Sequence, residues 1–275
     1  MQDRHDNIKL IDNQAKIVPS ALNIGIAAAK GDVIIRVDGH AWLDRDYLNQ
    51  CVKYLQITKA DCVGGPIESV NNTFIGKAIA LAMSSPFGVG NAKFRYTKEE
   101  GYVDTNAFGA YQKEVFEKVG LFDEQLVRCQ DDEFNYRLRK FGGRIFLTPK
   151  IRSYYYPRSS LKKLWQQYFQ YGFWKVRVLQ KHFAMMQPRQ FVPPLFVLSL
   201  VGAGVLGLFF NTINQLFILI FISYFLASTF TSSRICLKQG WQYFPVLPIC
   251  FGILHFGYGI GFLIGLIKFW RYWKS

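Results

Sequence analysis

The chain has 275 residues, 33 Lys and Arg against 19 Asp and Glu, and is half hydrophobic with 17% aromatic residues. That composition excludes a disordered chain, and five cysteines without a C-x-x-C pair exclude a disulfide scaffold and a cysteine-type zinc module. All 19 acidic residues lie at or before Glu133, where 15 Lys and Arg oppose them; the other 18 Lys and Arg, in residues 134–275, stand without an acid. That division excludes a uniformly basic nucleic-acid binder and suits an acidic site docked on an anionic membrane.

In chain order, Asn7–Ile11 predicts a short strand, and Pro19-Ser20 opens a helix over Ala21–Lys30 that Gly31 ends. Val33–Val37 is β-branched and apolar, as a buried parallel strand is. Asp44 is placed to cap a helix over Arg45–Thr58. Cys62-Val63 begins a strand that Gly64-Gly65-Pro66 turns, and a helix runs from Thr73 to Met83. Asn106–Ala110 leads into a helix over Gln112–Val119, Asp131–Phe141 forms another that Gly142-Gly143 ends, and Arg144–Leu147 is a strand. This rhythm predicts an α/β domain over residues 1–158 with a mainly parallel sheet, whose ligands bind at the carboxyl ends of strands.

Residues 159–190 hold a predicted interfacial helix, Ser160–His182, with Leu161, Leu164, Trp165, Tyr168 and Phe169 near helical spacing and Lys162, Lys163, Gln166 and Gln167 between them. An amphipathic helix packed on the soluble domain has the same pattern. Residues 191–275 predict a membrane domain of two or three helices, from the uncharged runs Phe191–Phe210, Gln215–Phe230 and Trp241–Ile267, since a bilayer core takes about 20 apolar residues. Gly202, Ala203, Gly204 and Gly207, and later Gly257, Gly259, Gly261 and Gly265, permit close helix packing. The basic residues before the first run place that side in the cytoplasm. Three full spans put Lys268, Arg271 and Lys274 outside, whereas a re-entrant hairpin at 245–267 returns them; the sequence leaves both open. The first 30 residues lack the apolar segment of a signal peptide.

Three stretches carry residue types suited to chemistry. Asp38-Gly39-His40 follows the 33–37 strand; a carboxylate and an imidazole two residues apart on such a turn can face one divalent cation, which neutralises a diphosphate. A solvated Asp on a turn has the same pattern. Gln130-Asp131-Asp132-Glu133 opens a helix: carboxylates there suit the helix dipole, and one aimed into a cleft serves as a general base. Ser84–Arg95, with Gly88, Gly90, Lys93 and Arg95, is either a cationic segment that closes over a diphosphate or a plain surface loop, and it lacks the G-x-G-x-x-G fingerprint.

Taken in order, the strand, Asp38-Gly39-His40, a long helix, the glycine loop, Phe108-Gly-Ala-Tyr-Gln-Lys-Glu-Val-Phe-Glu-Lys-Val-Gly-Leu-Phe-Asp-Glu124, Asp131 and Glu133-Phe-Asn-Tyr-Arg-Leu-Arg139 resemble an inverting family 2 glycosyltransferase with the GT-A fold. Together with Gln167-Tyr-Phe-Gln-Tyr-Gly-Phe-Trp-Lys175 they resemble the membrane-bound succinoglycan-type exopolysaccharide glucosyltransferases. The resemblance implies Mg²⁺ or Mn²⁺ at Asp38 and His40, with His40 in place of the family's second acid, and Asp131 as general base, with Gln130 where Glu is usual. Gln167, Gln170 and Tyr171 fall on a Gln-x-x-Arg-Trp-like site near acceptor and diphosphate; Gln170 replaces the Arg and Tyr171 the Trp, and a neutral Gln cannot make the bidentate charged contact of Arg. Lys93 and Arg95 are expected on the donor diphosphate.

The implied activity is transfer of a sugar from a UDP-sugar, UDP-glucose, to a lipid-linked saccharide, by a multi-pass protein of the inner membrane with its catalytic domain in the cytoplasm. Membrane lipids are partners and nucleic acid is not. Transfer onto polyprenyl phosphate, and a non-catalytic membrane scaffold, are the alternative readings. The family also opens with a strand, a helix, a second strand and an Asp-Gly-Ser-x-Asp turn for the nucleotide base. No such turn stands in this sequence, and Asn7–Asn13 resembles the strand after it. The expected sheet therefore lacks its first βαβ unit, about 30 or more residues, and this chain alone is not expected to be an efficient enzyme.

Overall fold

The computed structural model describes residues 7–273, so Lys274 lies outside the described residues. Residues 7–13 form no strand: Ile8 and Leu10 are exposed, and none of the described strands lies beside them. Helix α1 (Val18–Ala28), with Pro19 in its first turn, leads to β1 (Val33–Ile35). A second short strand, β2 (Ala41–Leu43), precedes α2 (Tyr47–Thr58). The helix begins later than expected because Asp44 shapes the turn before it, accepting from the Asp46 N–H at 3.3 Å. Then come β3 (Cys62–Gly64), β4 (Ile67–Ser69) and α3 (Phe74–Met83), where the Thr73 hydroxyl accepts from the Gly76 N–H at 3.1 Å as an N-cap. The glycine loop holds one short helix, α4 (Pro86–Val89). Beyond it lie β5 (Gly101–Val103), β6 (Ala110–Gln112), α5 (Glu114–Val119), α6 (Gln130–Lys140), β7 (Ile145–Leu147) and β8 (Ser153–Tyr155).

The larger sheet has the order β1-β6-β3-β7-β5, and β2, β8 and β4 form a smaller one. Strands β3 and β7 pair parallel, while β6 pairs antiparallel with both β1 and β3, and β5 antiparallel with β7. Thus β1, β3 and β7 share one direction, as helical crossovers between them require. The sheet is mixed because β6, reached from the excursion over residues 84–109, inserts between β1 and β3 against them. Phe116 of α5, Phe134 of α6 and Phe122 between them cover it, and α2 packs through Tyr47, Cys51 and Leu55.

Four helices complete the chain: α7 (Leu161–His182), α8 (Val192–Gly207), α9 (Asn211–Gln239) and α10 (Leu247–Lys268). Ser160 caps α7, accepting from the Lys163 N–H at 3.3 Å. The last three are long and apolar enough to cross a membrane. Helices α8 and α9 turn back on each other at residues 208–210, and the chain after α9 returns to the sheet domain, where Tyr243 stacks on Phe74 of α3.

Helix α10 runs alongside α7 in the same direction. A Cβ on Gly257, Gly261 or Gly265 would meet the backbone carbonyl of Trp165, Phe169 or Phe173 in turn, four residues apart on both helices. At Gly261 it would lie 2.1 Å from the Phe169 oxygen, and a Cβ on Gly172 would lie 2.0 Å from the Tyr258 oxygen. Only glycine admits backbones this close. One core therefore includes Ile79 and Met83 of α3, Leu164 and Tyr168 of α7, Cys236 of α9, and Leu247, Phe251 and Leu254 of α10.

Candidate active site

Strand β1 ends three residues before Asp38, and the 38–41 turn closes with the Ala41 N–H donating to the Asp38 carbonyl at 3.0 Å. Arg36 sits between strand and turn with only 9% of its side chain exposed. Its Nε donates to Asp38 Oδ1 at 3.0 Å and its Nη2 to Oδ2 at 3.2 Å. Its Nη1 lies 3.8 Å from Asp131 Oδ2, too far for a hydrogen bond, and is buried with no hydrogen-bond partner among the described residues. One buried guanidinium therefore links the two candidate acids. Sequence reasoning passed over Arg36, though a lone charge in an apolar strand two residues before a candidate ligand marks it.

The Asp131-Asp132-Glu133 triplet opens α6 behind Cys129, a buried non-glycine residue at φ 62. A left-handed residue of this kind costs energy and recurs beside functional groups. The three carboxylates then part. Glu133 takes both Nε and Nη2 of Arg137, at 2.9 and 3.0 Å, and His182 Nε2 at 2.9 Å. Asp132 accepts from the Thr105 hydroxyl at 3.0 Å and pairs with the buried Lys175 ammonium. Among the described residues Asp131 accepts only the N–H of Asp132, at 3.0 Å. Burial pushes its carboxyl above the ordinary range, with Asp132 adding to the rise and Arg36 and Lys175 opposing it. Burial acts the same way on Asp132, but there Lys175 outweighs it and holds the carboxyl below its usual range. A half-buried carboxylate with a raised pKa and no hydrogen-bonded cation among the described residues is suited to taking a proton.

Asp131 lines a cavity of about 500 Å³ whose walls include Phe87 of α4, Tyr171 and Lys175 of α7, Phe196 of α8, Tyr224 of α9 and Leu254 of α10. Arg95 lines the same cavity, whereas Lys93 is exposed and faces a separate hollow beside Asp104 and Arg139. The loop's two expected diphosphate ligands are thus divided. On α7, Gln167 Nε2 donates to the hydroxyls of Tyr155 at 3.1 Å and Tyr171 at 2.8 Å. Gln170 is exposed and accepts from the Trp174 indole at 3.1 Å, so it points away from the cavity. Gln130 is buried in the first turn of α6 but does not line the cavity. His40 packs edge-on against Tyr155 with ring centroids 5.0 Å apart, which joins the Asp38 turn to Gln167, Tyr171 and the cavity.

A divalent cation fits Asp38 and His40 by donor chemistry. The Asp38 carboxylate accepts two bonds, both from Arg36, and a carboxylate has about four acceptor positions. The His40 ring makes no hydrogen bond among the described residues, and its pKa is lowered by burial, with Arg158, Arg36 and Arg128 reinforcing burial against Asp38; the neutral imidazole is the metal-binding form. Two protein ligands suit Mg²⁺, which takes its other positions from phosphates and water; no group of three or more such ligands gathers among the described residues.

Residues 1–120 match the model of glycosyl transferase family 2. Over 96% of its length the chain is 30% identical to the succinoglycan biosynthesis protein ExoA of Rhizobium meliloti (strain 1021), covering 79% of that protein. Over 98% it is 31% identical to the dolichyl N-acetyl-alpha-D-glucosaminyl phosphate 3-beta-D-2,3-diacetamido-2,3-dideoxy-beta-D-glucuronosyltransferase of Methanococcus voltae, covering 82% of it. Among solved structures, residues 1–349 of S. aureus TarS align over 95% of this chain and 73% of that one, with 11% identity and a TM-score of 0.38. The two sequence relatives extend past the family model through α6, α7 and the apolar helices, and on that full-length similarity the chain belongs to glycosyl transferase family 2.

Proposed function

We propose that the protein transfers glucose from UDP-glucose to a lipid-linked saccharide in cell-surface glycan synthesis, at the cytoplasmic face of the inner membrane, by a single inverting displacement. The observation that carries this reading is Asp131: of the three acids opening α6 it alone has no hydrogen-bonded cation, and it faces a cavity walled in part by the apolar helices. In the proposed step its carboxylate takes the proton of the acceptor hydroxyl as that oxygen bonds to the anomeric carbon. The bond from that carbon to the diphosphate breaks, and UDP leaves with the electron pair. Asp38 and His40 would hold Mg²⁺ or Mn²⁺, which supplies positive charge to the diphosphate. The names of the two relatives, one in succinoglycan biosynthesis and one acting on a dolichyl-phosphate-linked sugar, support an acceptor of this class.

The domain division at 158 and 190 belongs to the same proposal, with α7 and α10 as the membrane-facing floor of the catalytic unit. Helix α7 carries Lys162, Lys163, Lys175, Arg177 and Lys181, and each such charge costs about 2.5–3.5 kcal/mol at the centre of a spanning helix. Because α10 lies along α7, it shares that depth. Both of its ends also meet the catalytic side, through Leu247 in the core with α3 and through the Phe269 carbonyl, which accepts from Gln180 of α7 at 2.8 Å. Helices α8 and α9 are then the two spans.

Asp131→Asn keeps the shape and removes the base. Sugar transfer from radiolabelled UDP-glucose to the membrane lipid fraction should fall by about 10²–10⁴-fold, with UDP binding by calorimetry kept. Equal turnover of the two proteins would overturn the assignment.

A further inference from the structure

The cavity at Asp131 contains a cation without an acid. Its other two cations are neutralised: Lys175 pairs with Asp132, and Arg189 with Asp104. Arg95 has no ion pair among the described residues, and its Nη1 is buried with no hydrogen-bond partner. Its guanidinium lies 5.1 Å from the ring centroid of Phe94 and 5.6 Å from that of Tyr155, which orient it without cancelling its charge. A second lining residue, Tyr258, also has a buried hydroxyl with no hydrogen-bond partner among the described residues. Both groups can donate, so the complementary ligand is rich in acceptor oxygens and negatively charged.

The remaining walls are apolar. Phe87 of α4, Val192, Pro193 and Phe196 of α8 and Leu254 of α10 line the cavity, and Val192 is largely exposed on the face of a membrane helix. The site therefore offers phosphate chemistry at one place and hydrocarbon chemistry up to a bilayer-facing surface. A nucleotide sugar has the first and not the second. The α4 wall is fixed to the membrane helices by His255, whose Nε2 lies 2.8 Å from the Phe87 carbonyl and whose Nδ1 lies 2.9 Å from the Tyr224 hydroxyl. A carbonyl only accepts, so Nε2 carries the proton and Tyr224 donates to Nδ1.

We propose that this cavity binds the phosphate and the adjoining isoprenoid units of a polyprenyl-phosphate-linked acceptor. The phosphate sits on Arg95, and the chain leaves past Val192 and Phe196 into the bilayer. The proposal rests on the acceptor reading above and reassigns Arg95 from the donor diphosphate to the acceptor.

Farnesyl phosphate, farnesol, inorganic phosphate and UDP serve as probes, titrated by calorimetry into the detergent-purified full chain. The protein should bind farnesyl phosphate and neither farnesol nor inorganic phosphate tightly. Arg95→Met should weaken farnesyl phosphate roughly tenfold to a hundredfold, the range for losing a charged hydrogen bond, and leave UDP unchanged. Phe196→Trp, which fills the apolar wall, should weaken farnesyl phosphate alone, and near-ultraviolet circular dichroism checks that both variants are folded. Loss of UDP binding in Arg95→Met would return Arg95 to the donor, and equal binding of farnesol and farnesyl phosphate would reduce the cavity to a greasy cleft; either overturns the proposal. Asp131→Asn keeps the two readings apart, because it should bind farnesyl phosphate normally whether or not it transfers sugar.

Discussion

Arg36 shows how much one side chain decides at this site. It holds Asp38 by two hydrogen bonds and lies 3.8 Å from Asp131, so it sets the charge felt by both acids. Burial raises the Asp131 carboxyl and Arg36 is the largest influence against that rise. A general base works in its ionised form, so its activity is lost as pH falls through its pKa. Arg36→Met removes the restraining charge and should move the acid limb of the kcat/KM–pH profile to higher pH, with slower transfer at neutral pH. A limb that stays in place would dissociate Arg36 from the base. The separate fates of Asp131, Asp132 and Glu133 were not legible in the sequence. They depend on Lys175 and His182, more than 40 residues away on α7, and on Arg36 across the sheet. The place of the triplet at a helix start was legible, because acidic residues before an amphipathic run mark an N-terminus.

Among elements, the longer helices were readable and most of the strands were not: β2, β4, β5, β6 and β8 had no counterpart in the expected elements. Helices α2, α3, α6 and α7 fall within a few residues of expectation, because ten or more residues give periodicity room to show. Every described strand has three residues, and β2, β4, β5 and β8 show no alternation long enough to detect. Nothing local in Ala110–Gln112 reveals that it inserts antiparallel between β1 and β3. The glycines of α10 announced close packing without naming a partner; Gly257, Gly261 and Gly265 close on α7, while Gly259 closes on Pro193 and Val197 of α8. Gly261→Ala places a methyl 2.1 Å from the Phe169 carbonyl, so the helices must part, at about 1–3 kcal/mol. Thermal unfolding in detergent should show a lower midpoint. Gly202→Ala, where a Cβ meets nothing within 4 Å, serves as the control and should not lower it. Equal midpoints would mean that the α7–α10 contact contributes little.

At the scale of the whole molecule, charge and packing point to the same arrangement. The acid-free half of the sequence, with 18 Lys and Arg, begins at residue 134 and includes every helix that meets the bilayer, as expected for a protein held against anionic lipid. The two-span arrangement proposed above, with α8 and α9 crossing, puts the end of α10 on the same side as α7. The five cysteines are buried, so a surface cysteine can be read above them. Lys268→Cys should react with a membrane-impermeant maleimide from the cytoplasmic side, and Thr212→Cys, beside the α8–α9 turn, from the opposite side. Labelling of both from the outside would restore three spans.

The core that α3 and α7 share with α10 also orders events during synthesis. Ile79, Met83, Leu164 and Tyr168 wait for Leu247, Phe251 and Leu254, which leave the ribosome after them. Until then the catalytic half shows a bare apolar face, and with α8 and α9 as the proposed spans it cannot close until that hairpin has been delivered to the lipid. Maturation of the soluble half is thereby tied to membrane insertion, and a chain released in the aqueous phase would be left as a substrate for chaperones and proteases rather than as a transferase acting in the wrong compartment.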